Sequence, residues 1–143
     1  ALRGAWGLDN QLIEDEPYYL ILGNEEIIGC GGWSFRKTLV GSSTRKDRDS
    51  ERLDPISDAA RIRAFFIHPN YVREGLGKKL LIHCEKQAWD SGFTKIELGS
   101  TLPGVHLYKN QGYVMGKPYE FESSPNIFVT IIPMKKTLLS RPV

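Results

Sequence analysis

The run Phe65-Phe66-Ile67-His68-Pro69-Asn70-Tyr71-Val72-Arg73-Glu74-Gly75-Leu76-Gly77-Lys78 carries an apolar strand through a Pro-Asn turn into a helix whose first turn holds two glycines. Such a junction can seat a diphosphate. The first backbone N–H groups of a helix have no partner inside it, and the macrodipole adds partial positive charge there, so an anion is stabilised without a cationic side chain. Glycine at 75 and 77 removes Cβ atoms that would hold phosphate oxygens away from the backbone, and Lys78 and Lys79 add mobile charge. Two better-known phosphate motifs are excluded. A P-loop requires Gly where Val72 stands and Ser or Thr where Lys79 stands, and a dinucleotide fingerprint requires a small residue in place of Leu80. A Gly-x-Gly pair alone can also serve only a tight turn or close packing, so the flanking elements decide its meaning.

From Ile62 to Tyr113 the chain reads strand, glycine-containing helix start, amphipathic helix, Gly92-Phe93, strand, short helix with Tyr108, then Gly112-Tyr113. The helix start Val72-Arg73-Glu74-Gly75-Leu76-Gly77 and the later run Tyr108-Lys109-Asn110-Gln111-Gly112-Tyr113 together resemble the GNAT superfamily of N-acetyltransferases. Its signature is Gln/Arg-x-x-Gly-x-Gly/Ala opening the central helix, followed by Tyr-x-x-x-Gly-Phe/Tyr. The resemblance covers roughly residues 17 to 135 and is nearest a small-molecule or functionally unassigned branch. Val72 departs from the signature, which has Gln or Arg there, and Arg73 follows one place later. Backbone N–H groups can still hold a diphosphate at that position.

The resemblance implies an α/β (α+β) fold: a mixed, mostly antiparallel sheet flanked by helices, with a central parallel strand pair splayed to hold pantetheine. It implies acetyl-CoA as cosubstrate, no metal, an amine acceptor, and a homodimer as a possible assembly. Carried onto this sequence, Phe65, Phe66 and Ile67 offer backbone groups to the pantetheine arm, Val72 to Lys78 hold the pyrophosphate, and Thr101 hydrogen-bonds the arm. Core packing for the three apolar residues is compatible with that role, because side chains pack while the backbone binds. Thr101 has an alternative use as the cap of a helix starting near Gly104.

Acetyl transfer to an amine requires a neutral nucleophile, stabilisation of an oxyanion, and a proton for the departing thiolate. The backbone N–H near Ile67 suits the second. Tyr108 matches the family's tyrosine beside the sulfur, and a phenol of reference pKa about 10 can donate to a thiolate whose acid has a pKa of about 8.5. Glu97, His68 and His106 are candidate bases. Each has a simpler reading: a paired or solvated carboxylate, a turn residue before Pro69, and a surface residue two before Tyr108. Arg61 and Arg63 could draw an acidic acceptor or serve only in pairs. A non-catalytic acyl-CoA-binding sensor is the competing class of function.

Composition narrows the rest. At 143 residues with 41% hydrophobic content, the chain is one domain able to bury a core without disulfides or metal. The net charge of +2 is near balance, and Arg45-Lys46-Asp47-Arg48-Asp49-Ser50-Glu51-Arg52 mixes both signs, so no nucleic-acid strip is indicated. Cys30 and Cys84 lie far apart without partners at metal-ligand spacing, which points to reduced thiols in a cytoplasmic compartment. No apolar run approaches the roughly 20 residues of a membrane span.

The pattern predicts a hairpin from strands 18–22 and 27–35, the second bent by its glycines, and an exposed loop over 40–59. It further predicts a central strand at 61–67, and a helix over 75–91 turning Leu76, Leu80, Leu81, Cys84 and Ala88 to the sheet before a Gly92 cap. A strand at 94–100, a short helix at 105–110 and an antiparallel pair of 113–120 with 127–134 complete the chain. Only about 16 residues precede the first strand, and Trp6 to Ile13 resembles the end of the family's opening helical portion. The domain is therefore expected to lack the usual N-terminal strand and helices.

Overall fold

The computed structural model describes residues 18–23, 26–35, 52–67 and 75–143. Strands β1 (Tyr18–Gly23), β2 (Glu26–Ser34) and β3 (Ala60–Ile67) are followed by helix α1 (Leu76–Asp90) and strand β4 (Lys95–Ser100). A 3-10 turn (Leu102–Gly104) leads into helix α2 (Val105–Asn110), and β5 (Val114–Met115), β6 (Tyr119–Ser124) and β7 (Ile127–Thr137) close the chain. Among the described residues the strands form one sheet in the order β1-β2-β3-β4-β7-β5, with β6 also paired to β7. Every pairing is antiparallel except β3 with β4. This is the mixed, mostly antiparallel sheet with a central parallel pair that the sequence resemblance implied.

Period-two burial creates the sheet's helix-facing side. In β4, Ile96, Leu98 and Ser100 are buried while Lys95 is exposed and Glu97 and Gly99 are half-buried. Helix α1 answers with Leu80, Leu81, Cys84 and Ala88 at spacings that share one face, and all four are buried against Trp33, Ile62, Ile96 and Leu98 in a continuous apolar core. Each fully buried leucine of that stripe contributes roughly 1.5–3 kcal/mol by leaving water. The helix stops where Gly92 takes φ +97°. The N–H of Phe93 then reaches the carbonyl of Ala88 at 3.0 Å, a C-cap that brings buried Phe93 under the helix end.

Several expectations change in detail. The strand anticipated over 113–120 is divided: β5 pairs with Lys135 and Met134, and β6 starts only at Tyr119. The break falls on Gly116-Lys117-Pro118, where proline cannot donate to a ladder. Of the 40–59 loop, residues 40–51 lie outside the described residues. Residues 52–59 are packed rather than wholly exposed: Leu53 and Ala59 are buried, and the Leu53 N–H donates to the Phe35 carbonyl at 2.6 Å. Trp6 to Ile13 also lies outside the described residues.

Candidate active site

Strand β3 contains one residue more than β2 across their pairing. Opposite β2, Cys30 faces Phe66 and Gly32 faces Arg63, so two steps on one strand match three on the other. This bulge turns the alternation over. Ile62 belongs to the core, Phe65 and Ile67 point to the same helical side, and Phe66 projects from the other face at 55% exposure. On its other edge β3 pairs with β4 only at Ala60↔Ile96 and Arg61↔Glu97. β4 continues beside β7 to Ser100↔Ile132, and β3 continues beside β2 to Gly29↔Ile67. Among the described residues, β3 and β4 therefore have no ladder pairing with each other beyond Arg61 and Glu97. Buried backbone groups that leave a ladder require a partner from elsewhere.

The N-terminus of α1 stands at the open end of this wedge. Gly75 is its N-cap, with φ +77° and no side-chain cap. Among the described residues, a Cβ built there would meet nothing within 4 Å. The first turn contains no acidic residue, and the first carbonyl bond is Lys79 N–H to Gly75 O at 3.1 Å, which leaves the preceding amides unpaired by the helix. Gly77 also lies close to α2: a Cβ there would stand 3.0 Å from Leu107 Cδ2, so a larger residue would need that side chain to shift by a few tenths of an ångström. His68, Val72, Arg73 and Glu74 lie outside the described residues.

Tyr108 lies within α2, 8% exposed, its ring 6.2 Å from Phe65 and 5.9 Å from Tyr113. Among the described residues its hydroxyl has no hydrogen-bond partner. Burial, reinforced by neighbouring Cys84, holds the phenol's pKa well above its ordinary value, so the proton stays in place at neutral pH. A thiolate in the same dry surroundings has its proton affinity raised by the same desolvation, so the relation between donor and leaving group persists.

The remaining candidates separate. Glu97 is ion-paired with Arg61 across the parallel pair, which engages both the acidic candidate and one of the two cations considered for an acidic acceptor. Arg63 is buried at 5% exposure. His106 is exposed and shares a 3.1 Å contact with Asn110, the surface role its position suggested. Thr101 is the N-cap of the 3-10 turn without a side-chain cap bond, and its carbonyl accepts from the Ser100 hydroxyl at 2.7 Å. Sequence reasoning missed Glu85, a buried acid on the sheet-facing side of α1. The signal was available: a glutamate one residue after Cys84 falls on the apolar stripe. Among the described residues no group of three or more His, Cys, Asp or Glu side chains could hold a metal, and no helix is long and apolar enough to cross a membrane.

The parallel strand pair thus separates beside the N-terminus of a helix, an arrangement that can be compared with known folds. The sequence pattern of the Acetyltransferase (GNAT) family matches residues 4–113, and the chain belongs to that family. Solved structures agree in fold. An acetyltransferase of the GNAT family from Streptococcus pneumoniae superposes with TM-score 0.61 at 21% identity, over 90% of this chain and 71% of that one. Ribosomal-protein-alanine N-acetyltransferase from Brucella melitensis gives 0.64 at 13% identity, over 90% and 75%. The yncA protein of Salmonella typhimurium, solved with its cofactor acetyl-CoA, gives 0.61 at 15% identity, over 88% and 66%. No curated protein matches the sequence. Membership implies acetyl transfer from acetyl-CoA, and among the described residues the first-turn amides of α1 and the end of β3–β4 pairing at Arg61↔Glu97 are compatible with that cosubstrate.

Burial of the two thiols makes a separate prediction. Cys84 is fully buried and its thiol is pushed up to about 12, mainly by desolvation and further by Glu85, while Cys30 is partly exposed. A thiol reagent at pH 8 is expected to titrate Cys30 in the native protein and Cys84 only in denaturant. Two fast native thiols would contradict the placement. The same shift has a sign for stability. Below the ordinary thiol value both states are neutral; between about 9 and 12 only the unfolded chain ionises, so stability is lost as pH rises through that window. The slope from this one group is at most about 1.4 kcal/mol per pH unit, readable as a falling urea midpoint.

Proposed function

We propose that the protein transfers the acetyl group of acetyl-CoA to a primary amine of a small molecule or peptide by direct attack. The observation that carries the reading is the coincidence, among the described residues, of β3–β4 pairing that ends at Arg61↔Glu97, a glycine N-cap on α1 and the buried phenol of Tyr108. When bound, acetyl-CoA supplies an activated acetyl thioester. Backbone groups of Phe65, Phe66 and Ile67 hold the pantetheine arm as a strand partner would, and the segment from Val72 to Lys78 holds the diphosphate. Thr101, at the end of β4, adds a hydroxyl to the same arm. The amide near Ile67 stabilises negative charge on the carbonyl oxygen.

Tyr108 keeps its proton through burial and yields it to the departing sulfur. Glu97 was a candidate base, but Arg61 already engages its carboxylate, so the ammonium proton leaves through water. Glu97→Gln is accordingly expected to alter kcat by less than about threefold, within the range of a residue outside the proton path. The reading is tested by following thiol release from acetyl-CoA against a panel of primary amines. Sustained CoA production with at least one amine is expected. Tight acetyl-CoA binding without turnover across the panel would instead mark a non-catalytic sensor.

A further inference from the structure

Helix α1 carries a buried acid that the acetyl-transfer scheme does not use. Glu85 is 1% exposed in a face otherwise made of Leu81, Cys84 and Ala88. A carboxylate in such a place is stable only when its oxygens are satisfied. The Tyr113 hydroxyl donates to Glu85 Oε2 at 2.7 Å, and Lys136 Nζ on β7 lies 3.3 and 3.4 Å from the two carboxylate oxygens. The same ammonium sits 5.5 Å from the centre of the Tyr113 ring. Three elements are thus tied at one buried point: α1, β7 and the turn that follows α2.

That turn leads directly to Tyr108. The N–H groups of Gln111 and Tyr113 both donate to the Tyr108 carbonyl, at 3.0 and 3.1 Å, and the two tyrosine rings meet edge to face with 5.9 Å between centroids. Helix α2 has six residues, too few to fix its own orientation without tertiary contacts. Its far end is held by Tyr113, and Tyr113 is held by Glu85.

We propose that Glu85 is a positioning residue for acetyl transfer: through the Tyr113 hydroxyl it fixes the rotation of α2 and so keeps the Tyr108 hydroxyl aimed at the β3–β4 wedge. The inference rests on Tyr108 being the proton donor. A carboxylate serving only to fasten the fold would change melting temperature and leave turnover well below that temperature unaltered.

The test measures kcat, KM for acetyl-CoA and melting temperature for Tyr113→Phe, Glu85→Gln and Glu85→Leu. Tyr113→Phe is also made in a Tyr108→Phe background, and all assays use the amine that wild type turns over fastest. Misplacement of a reacting group by a fraction of an ångström costs rate steeply, so Tyr113→Phe and Glu85→Leu are each expected to lower kcat about tenfold with KM within about twofold. Glu85→Gln still accepts from Tyr113 and is expected to retain kcat within about threefold. In the Tyr108→Phe background, Tyr113→Phe should cost nothing further. If Glu85→Leu does not fold, Tyr113→Phe and the double variant carry the test.

An unchanged kcat in Tyr113→Phe, or an equal loss with and without the Tyr108 hydroxyl, overturns the positioning role while the donor role stands. A wild-type rate in Tyr108→Phe alone overturns the donor role, and with it this inference.

Discussion

Tyr108→Phe is expected to lower kcat by about 10²–10⁴-fold, the span general acid catalysis supplies, with KM for acetyl-CoA nearly unchanged. The substitution removes one oxygen and retains the ring that packs against Phe65 and Tyr113. Because that hydroxyl has no hydrogen-bond partner among the described residues, its loss leaves no buried group stranded, and the melting temperature should stay near wild type. Steady-state thiol release together with a thermal melt separates chemistry from folding. A loss under about threefold in a folded variant would remove Tyr108 from the proton path.

Gly75→Glu is expected to weaken acetyl-CoA binding by roughly 30-fold or more. Two effects combine at this position. A side chain at φ +77° is strained by about 1 kcal/mol, and a carboxylate beside the first amides of α1 competes for the site and repels a diphosphate. Among the described residues, none lies within 4 Å of a Cβ at this position. Gly75→Ala is the control: it carries the strain without the charge and should bind within a few-fold of wild type. Titration calorimetry with acetyl-CoA at two salt concentrations reads both variants, and the Glu penalty should shrink at high salt. Equal affinity for Gly75→Glu and wild type would mean that the diphosphate is held elsewhere.

The helix over Leu76–Asp90 and the short helix over Val105–Asn110 were legible because their apolar residues recur at helical intervals between clear stops. The strand at Lys95–Ser100 was equally plain from its alternation. The divided β5 and β6 were not, since a run such as Tyr113 to Glu120 has strand-like composition throughout and only pairing with β7 shows where it breaks. The β3 bulge was hidden for a similar reason. In Arg61 to Ile67 the run Phe65-Phe66-Ile67 is apolar throughout, so a one-residue slip leaves no mark in composition. Gly31 was read as a bend, whereas a Cβ there would stand 2.3 Å from the ring of Phe65 and the residue is small to admit that ring.

In the candidate site, Gly75 and Tyr108 were singled out by their motifs, and in the structure Gly75 is the N-cap of α1 while Tyr108 is buried. The packing of Gly77 against Leu107 was not legible, because Leu107 comes from an element 30 residues later. Glu85, Tyr113 and Lys136 form a contact among residues far apart in sequence, and no local rule announces it.

The most direct measurement is a crystal structure of the protein soaked with acetyl-CoA. The account predicts pantetheine lying between the facing edges of β3 and β4 beyond Arg61 and Glu97, the diphosphate on the amides from Gly75 to Lys78, and the thioester sulfur within hydrogen-bond reach of the Tyr108 hydroxyl. Cofactor density at another surface, with the wedge filled by the protein's own side chains, would contradict it.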